Sequence, residues 1–150
     1  MRGFILSVNT FTALYFALYM EVKTDTKERF HVITVDSEHL SANMTEELCK
    51  QLTTYLQQDI KNVVVKLNVV NTMDEAGAEC LVRTQQQFYD NGASFVICEL
   101  TPGLEEFLDS QNLLELMNIT PTESEAWDIV QMEEIERELL SDDDEEQPTK

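Results

Sequence analysis

The side chains capable of chemistry are few and scattered. Cys49, Cys80 and Cys98 are widely spaced without a C-x-x-C pair, and only His31 and His39 accompany them. Zinc sites need Cys and His gathered at short spacing, which this inventory does not supply. No nucleophile emerges either. Cys80 falls on the apolar stripe of an expected helix and Cys98 inside an apolar run, so both read as buried structural thiols. His31 belongs to an expected strand and His39 to a loop, neither with a Ser or Cys partner at readable spacing. Phosphate-cradling motifs are missing: neither G-x-G-x-x-G nor G-x-x-x-x-G-K occurs, and the chain has four glycines. Acidic residues are plentiful, yet no pair stands out as a general acid and base. The expectation is a chain without catalytic residues, bound metal or cofactor, and so not an enzyme.

One junction keeps its interest, Asn71-Thr72-Met73-Asp74-Glu75-Ala76-Gly77, between an apolar run and an expected helix. Asp74 is suited to an N-cap, and Glu75 sits where the helix dipole favours negative charge. Gly77 lets another backbone approach closely. Two readings stay open. One is an ordinary strand-to-helix turn; the other is an exposed anion held at a helix N-terminus, as a bound or covalent phosphate would be.

The elements that must position this junction are legible on either side. Glu21 to Thr26 and Phe30 to Val35 read as strands joined by a turn at Lys27-Glu28-Arg29. Met44, Leu48, Leu52, Tyr55 and Leu56 recur on one face of a helix, with Ser41 and Asn43 as candidate caps. Val63, Val64, Val65, Leu67, Val69 and Val70 form a β-branched run that predicts a strand buried on both faces. A second helix follows Asp74, with Gly77, Cys80, Leu81, Thr84 and Phe88 along one stripe and Gly92 closing it. Ala93 to Leu100 reads as a parallel strand, and Thr101-Pro102 opens a short third helix containing Leu104, Phe107 and Leu108. Leu116 to Ile119 is expected as a last strand. Thr122 with Glu125 makes a capping box for a final helix to about Leu140, on which Trp127 is expected to join the core. Alternating strands and helices predict a small α/β domain: a mixed, mostly parallel sheet of four to five strands with about four helices.

Charge sets further bounds. The 150 residues are 43% apolar and carry 29 acidic against 10 basic side chains, a formal charge of -19. Such an excess argues against nucleic acid as partner, because phosphates are met by clustered Lys and Arg. It would also repel an anionic membrane. Residues 133–150 hold nine acids and two bases, and the segment 141–150 is expected to be a disordered acidic tail. Residues 1–19 differ in kind: no charge occurs from Phe4 to Tyr19, and Ser7, Asn9, Thr10 and Thr12 break the apolar run. Translated upstream sequence before a start at Met20, a membrane or export signal, and an extra ordered element all remain open for it. The domain itself is expected over 20–140.

With these elements in order, the chain resembles the STAS domain family, of the anti-sigma factor antagonist type. The resemblance is carried by Met73-Asp74-Glu75-Ala76-Gly77 opening the second helix, by Gly92-Ala93-Ser94-Phe95-Val96-Ile97-Cys98 and by Thr101-Pro102-Gly103-Leu104-Glu105-Glu106-Phe107-Leu108, and it spans roughly Met20 to Met132. It implies a bacterial, cytoplasmic transcription regulator that binds an anti-sigma factor with serine kinase activity. In that family the kinase phosphorylates a Ser or Thr in a D-S-x-G segment and the phosphate weakens binding. This chain departs twice from the pattern. Glu75 stands at the phosphorylatable position and Ala76 follows, so neither accepts phosphate; the family's G-x-x-D appears as Glu38-His39-Leu40-Ser41. A carboxylate carries one negative charge against about -1.5 to -2 for phosphoserine, so Glu75 is a partial mimic.

The expected function is therefore a partner-switching module that signals by protein binding without a phosphorylation site. Its expected contact residues are Ser41, Met73, Asp74, Glu75, Ala76 and Gly77. The alternative is a small-ligand-binding or sensory STAS domain with no anti-sigma role. A third reading makes the acidic tail a decoy for a basic surface, set against plain solvation.

Overall fold

The computed structural model describes residues 21–146. β1 (Glu21–Thr26) and β2 (Phe30–Asp36) form an antiparallel hairpin, closed where Lys27 N–H donates to the Phe30 carbonyl at 2.8 Å. β2 then pairs in parallel with β4 (Asn62–Lys66), β4 with β6 (Phe95–Cys98), and β6 with β7 (Ile119–Thr120). The sheet order is β1-β2-β4-β6-β7, five strands with one antiparallel pair. Two short strands, β3 (His39–Leu40) and β5 (Thr72–Met73), make a separate parallel pair. Four helices stand among the described residues: α1 (Ala42–Thr53), α2 (Glu75–Asp90), α3 (Pro102–Ser110) and α4 (Glu123–Glu146). The α/β architecture expected from the alternating pattern is the one observed.

Strand periodicity assigns the side chains to two cores. Ile33, Val35, Val63, Val65, Phe95 and Ile97 face α1, α2 and α3. The alternate residues Phe30, Val32, Val64, Val96 and Cys98 face α4, meeting Ala126 and Val130. This two-sided burial explains why β4 and β6 read as unbroken apolar runs. A Schellman motif ends α2: Gly92 at φ +71° lets Ala93 N–H reach the Phe88 carbonyl (2.9 Å) and its own N–H reach that of Tyr89 (3.1 Å). Thr122 caps α4, its hydroxyl accepting from Glu125 N–H (3.2 Å) and donating to that residue's carboxylate (3.0 Å).

Several boundaries differ from the sequence expectation, each for a local reason. β4 stops at Lys66, and Leu67 to Val70 turn (Val70 N–H to the Leu67 carbonyl, 3.2 Å) while both stay buried, because the chain must double back to bring β5 beside β3. α1 ends at Thr53, and Tyr55 and Leu56 reach the core from a 3-10 turn over Thr54–Gln57. The last strand is Ile119–Thr120 rather than Leu116–Ile119; Leu114–Leu116 is a 3-10 turn. His39 belongs to β3 and not to a loop. Trp127 is 39% exposed and lies edge-on against Phe30, ring centroids 5.2 Å apart, so it lids the core rather than filling it. α4 continues to Glu146, past the end expected near Leu140, where no Gly or Pro interrupts the chain before Pro148. The expectations for residues 1–19 and for the end of the tail lie outside the described residues.

Among the described residues, buried side-chain polar atoms all have hydrogen-bond partners. His31, stacked on Tyr55 at 4.2 Å, donates from Nε2 to the Ile60 carbonyl (2.9 Å), which leaves Nδ1 to accept from the Thr26 hydroxyl (2.9 Å). Glu134 joins Arg29 and Asn62 (both 2.7 Å), and Asn62 Oδ1 accepts from Ser94 N–H (2.8 Å), tying α4 to the starts of β2, β4 and β6. Burial pushes the Cys49 and Cys98 thiols up to about 12, as suits structural thiols.

Candidate functional site

The parallel pair β3–β5 sets two helix N-termini side by side. His39 pairs with Thr72 and Leu40 with Met73, and each strand leads directly into a cap, Ser41 for α1 and Asp74 for α2. The sequence carries this as two copies of one pattern: His39-Leu40-Ser41-Ala42 and Thr72-Met73-Asp74-Glu75, each a polar residue, a buried apolar one, a cap and a first helical residue. Leu40 and Met73 anchor the two strands in the core.

The caps behave differently. Ser41 is local: its Oγ accepts from Met44 N–H at 3.2 Å. Asp74 has cap geometry, φ -71° and ψ 147°, but its side chain makes no bond to its own helix. It crosses to α1 instead, where Oδ2 accepts from Ala42 N–H at 2.9 Å. Its other oxygen lies 3.4 Å from His39 Nε2, and His39 Nδ1 lies 2.7 Å from the Thr72 hydroxyl. In the tautomer with its proton on Nε2, His39 faces Asp74 as donor and Thr72 as acceptor. The Asp74 backbone is fixed as well, its N–H donating to the Leu40 carbonyl at 2.9 Å. One carboxylate thus satisfies an unpaired donor of the neighbouring helix and holds β3 to β5.

Gly77 gives the reason the two helices can lie so close. A Cβ there would fall 2.6 Å from Thr45 Oγ1 and 3.0 Å from Thr45 Cβ. Thr45 is fully buried, and its hydroxyl donates to the Ser41 carbonyl at 2.8 Å. A close approach is found at Gly77, but it is the Thr45 side chain of α1 that comes near and not the backbone that the sequence led one to expect.

Of the six expected contact residues, the structure exposes Asp74, Glu75 and Ala76 and leaves Ser41 half-buried. Met73 and Gly77 are buried. A docking partner would not touch them; they set the backbone and the helix spacing beneath the surface. The capping role expected of Asp74 is corrected in its target, because it serves α1 and not α2. His39, read from the sequence only as a loop histidine without a partner, completes the cluster with Thr72 and Thr45, which residue type does not single out. The doubled pattern before the two caps is the signal that could have found the first two.

Chemically, the arrangement presents fixed negative charge. The carboxylate of Glu75 is exposed in the first turn of α2, where the helix dipole stabilises an anion, and Asp74 adds a second, half-exposed one. Among the described residues no three His, Cys, Asp or Glu side chains gather as a metal site. No described helix is long and apolar enough to cross a membrane.

Solved structures share this architecture. An anti-sigma factor antagonist from Mycobacterium paratuberculosis superimposes with a TM-score of 0.64 at 14% identity, covering 75% of this chain and 94% of that one. The unphosphorylated form of the Bacillus anti-sigma factor antagonist SpoIIAA gives 0.60 at 18% identity, over 74% of this chain and 96% of its own. RsbS from Moorella thermoacetica, solved with glutamate in place of a serine, gives 0.61 at 15%, over 74% and 95%. At these identities the likeness establishes the fold. The model of the STAS domain family matches residues 21–126, the sheet with its first three helices and the start of α4, and the chain therefore belongs to the STAS domain family.

Proposed function

We propose that this chain is a protein-binding regulator of the anti-sigma factor antagonist type, acting in the cytoplasm of a bacterium within a partner-switching pathway. Its partner surface is formed by the exposed Asp74, Glu75 and Ala76 with the half-buried Ser41 beside them, over the buried spacers Met73 and Gly77. The partner is an anti-sigma factor serine kinase or a related regulator. The observation that carries the reading is the exposed Glu75 carboxylate in the first turn of α2, beside an Asp74 that locks α2 to α1. Glu75 supplies at all times the negative charge that relatives gain by phosphorylation, though with less charge and fewer acceptors than a phosphate. The solved neighbours fit this reading. SpoIIAA has been determined in both phosphorylated and unphosphorylated forms, and RsbS with a glutamate replacing a serine. Among the described residues, one cleft of about 280 Å³ lies between α2 and α4, lined by Gln85, Tyr89, Asn118 and Glu133, and one of about 440 Å³ lies beside Arg29, Asn62 and Arg137.

The test is affinity purification from native lysate with the wild-type chain and with Glu75→Ser, each followed by mass spectrometry. A histidine-kinase-like ATPase or sensor protein should be recovered, in amounts that differ several-fold between the two baits. Failure of both baits to retain any such protein would sink the proposal. Equal recovery would remove Glu75 from the interface.

A further inference from the structure

The outer face of α4 is a second surface, unrelated to the helix pair and almost wholly beyond residue 126, where the family match ends. Ala126 and Val130 point into the sheet, and Glu133, Glu134 and Arg137 continue that face through hydrogen bonds to Ser94, Asn62 and Arg29. Nearly opposite lie Met132, Ile135 and Leu139, which are 52%, 56% and 60% exposed. Their spacing of three and four residues is that of a helix–helix seam. A helix covering one sheet needs a single apolar stripe; this one has two.

Charge indicates the occupant. α4 carries twelve acidic residues and one basic, Arg137. Exposed acids border the seam, Glu136 on one side and Glu138 on the other, with Asp128 one turn before Met132. Two copies of such a helix would set carboxylate against carboxylate. A helix with apolar seam residues flanked by Lys or Arg would pair both parts of the surface. We propose that the Met132–Ile135–Leu139 face of α4 docks a basic amphipathic helix of another protein.

The probe is a synthetic three-heptad peptide with Leu at the seam and Lys beside it, and a control in which Ser replaces every Leu. Binding to the full chain is read by fluorescence anisotropy at physiological salt, and hydrogen exchange maps the contact. The Leu/Lys peptide should bind and protect α4, whereas Ile135→Ser/Leu139→Ser should lose at least tenfold in affinity while circular dichroism shows an intact fold. Equal binding of the two peptides, or no loss in the double variant, would reduce the contact to unspecific charge and overturn the proposal. So would a dimer of the full chain that the double variant dissolves, or peptide binding that appears only when residues 2–19 are deleted. Those two results would assign the face to a second copy and to the chain's own N-terminal segment. Because the readout lies on α4, it is independent of the result at Glu75.

Discussion

Replacing Gly77 by Ala should destabilise the domain, although helix propensity alone predicts a gain. Gly77 is the third residue of α2, where Ala would be favoured by up to about 1 kcal/mol. Against this, the added methyl would stand 2.6 Å from Thr45 Oγ1 and 3.0 Å from its Cβ. Thr45 is β-branched, fully buried and committed to the Ser41 carbonyl at 2.8 Å, so turning its side chain away from the methyl breaks that bond. Overpacking of this kind costs about 1 to 3 kcal/mol, and displacing the hydroxyl forfeits roughly another 0.5 to 1.5. The balance is a net loss of about 0.5 to 4.5 kcal/mol, read as a lower urea midpoint at unchanged slope. Thr45→Ala removes the nearest atom, so in that background the same substitution should cost at least about 1 kcal/mol less, a coupling that a double-mutant cycle isolates. A stabilising Gly77→Ala, or equal cost in both backgrounds, would refute the close approach of α1 and α2 and with it the geometry of the site.

Two further perturbations follow from particular contacts. Asp74→Ala removes the acceptor for Ala42 N–H and should lower stability by about 1 kcal/mol, while Asp74→Asn, which keeps an acceptor oxygen, should lose less; unchanged midpoints together with unchanged hydrogen exchange at Ala42 would count against the bridge. Burial raises the Cys49 and Cys98 thiols to about 12, whereas an unfolded thiol titrates near about 8.5. Between those values the native chain holds protons that the unfolded chain has released. The stability they contribute is therefore whole below about pH 8.5 and is lost as pH rises toward 12. Cys98→Val should flatten the fall in urea midpoint between about pH 8 and pH 10, and an unchanged slope would refute the assignment.

The fold was legible where one physical rule dominated. Continuous apolar runs at Val63–Val65 and Phe95–Cys98, short and rich in β-branched residues, read as strands covered on both sides, and both are. Thr101-Pro102 and Thr122 with Glu125 declare helix starts through local hydrogen bonding, which needs no knowledge of the rest of the chain. Boundaries failed where distant contacts decided them. Nothing within Leu67 to Val70 says that the chain must turn there; the requirement comes from β3, nearly thirty residues earlier. Trp127 has the composition of a core residue, but its place on α4 brings it only to the edge of Phe30. The outward stripe of α4 is not announced by the features that mark this helix in the sequence, the Thr122–Glu125 capping box and Trp127, because neither says which face turns away from the sheet.

The site shows the same division between local and distant causes, and Asp74 is its clearest case. By type and position it is an N-cap for the helix that follows, and an isolated peptide would use it so. In the folded chain the β3–β5 pair brings Ala42 within reach, and a charged acceptor there satisfies a donor that Ser41, already bonded to Met44, leaves unpaired. α2 gives up its own side-chain cap and keeps Glu75 in its first turn, where the carboxylate favours the dipole without a directed bond. The exchange has a mechanical result. Glu75 follows directly after a residue pinned through backbone to Leu40 and through side chain to Ala42, so its charge is presented at a fixed place relative to the start of α1. A partner that reads the negative charge at Glu75 would meet it at a position set by Asp74, so a substitution at Asp74 should weaken its binding even if no atom of Asp74 is touched.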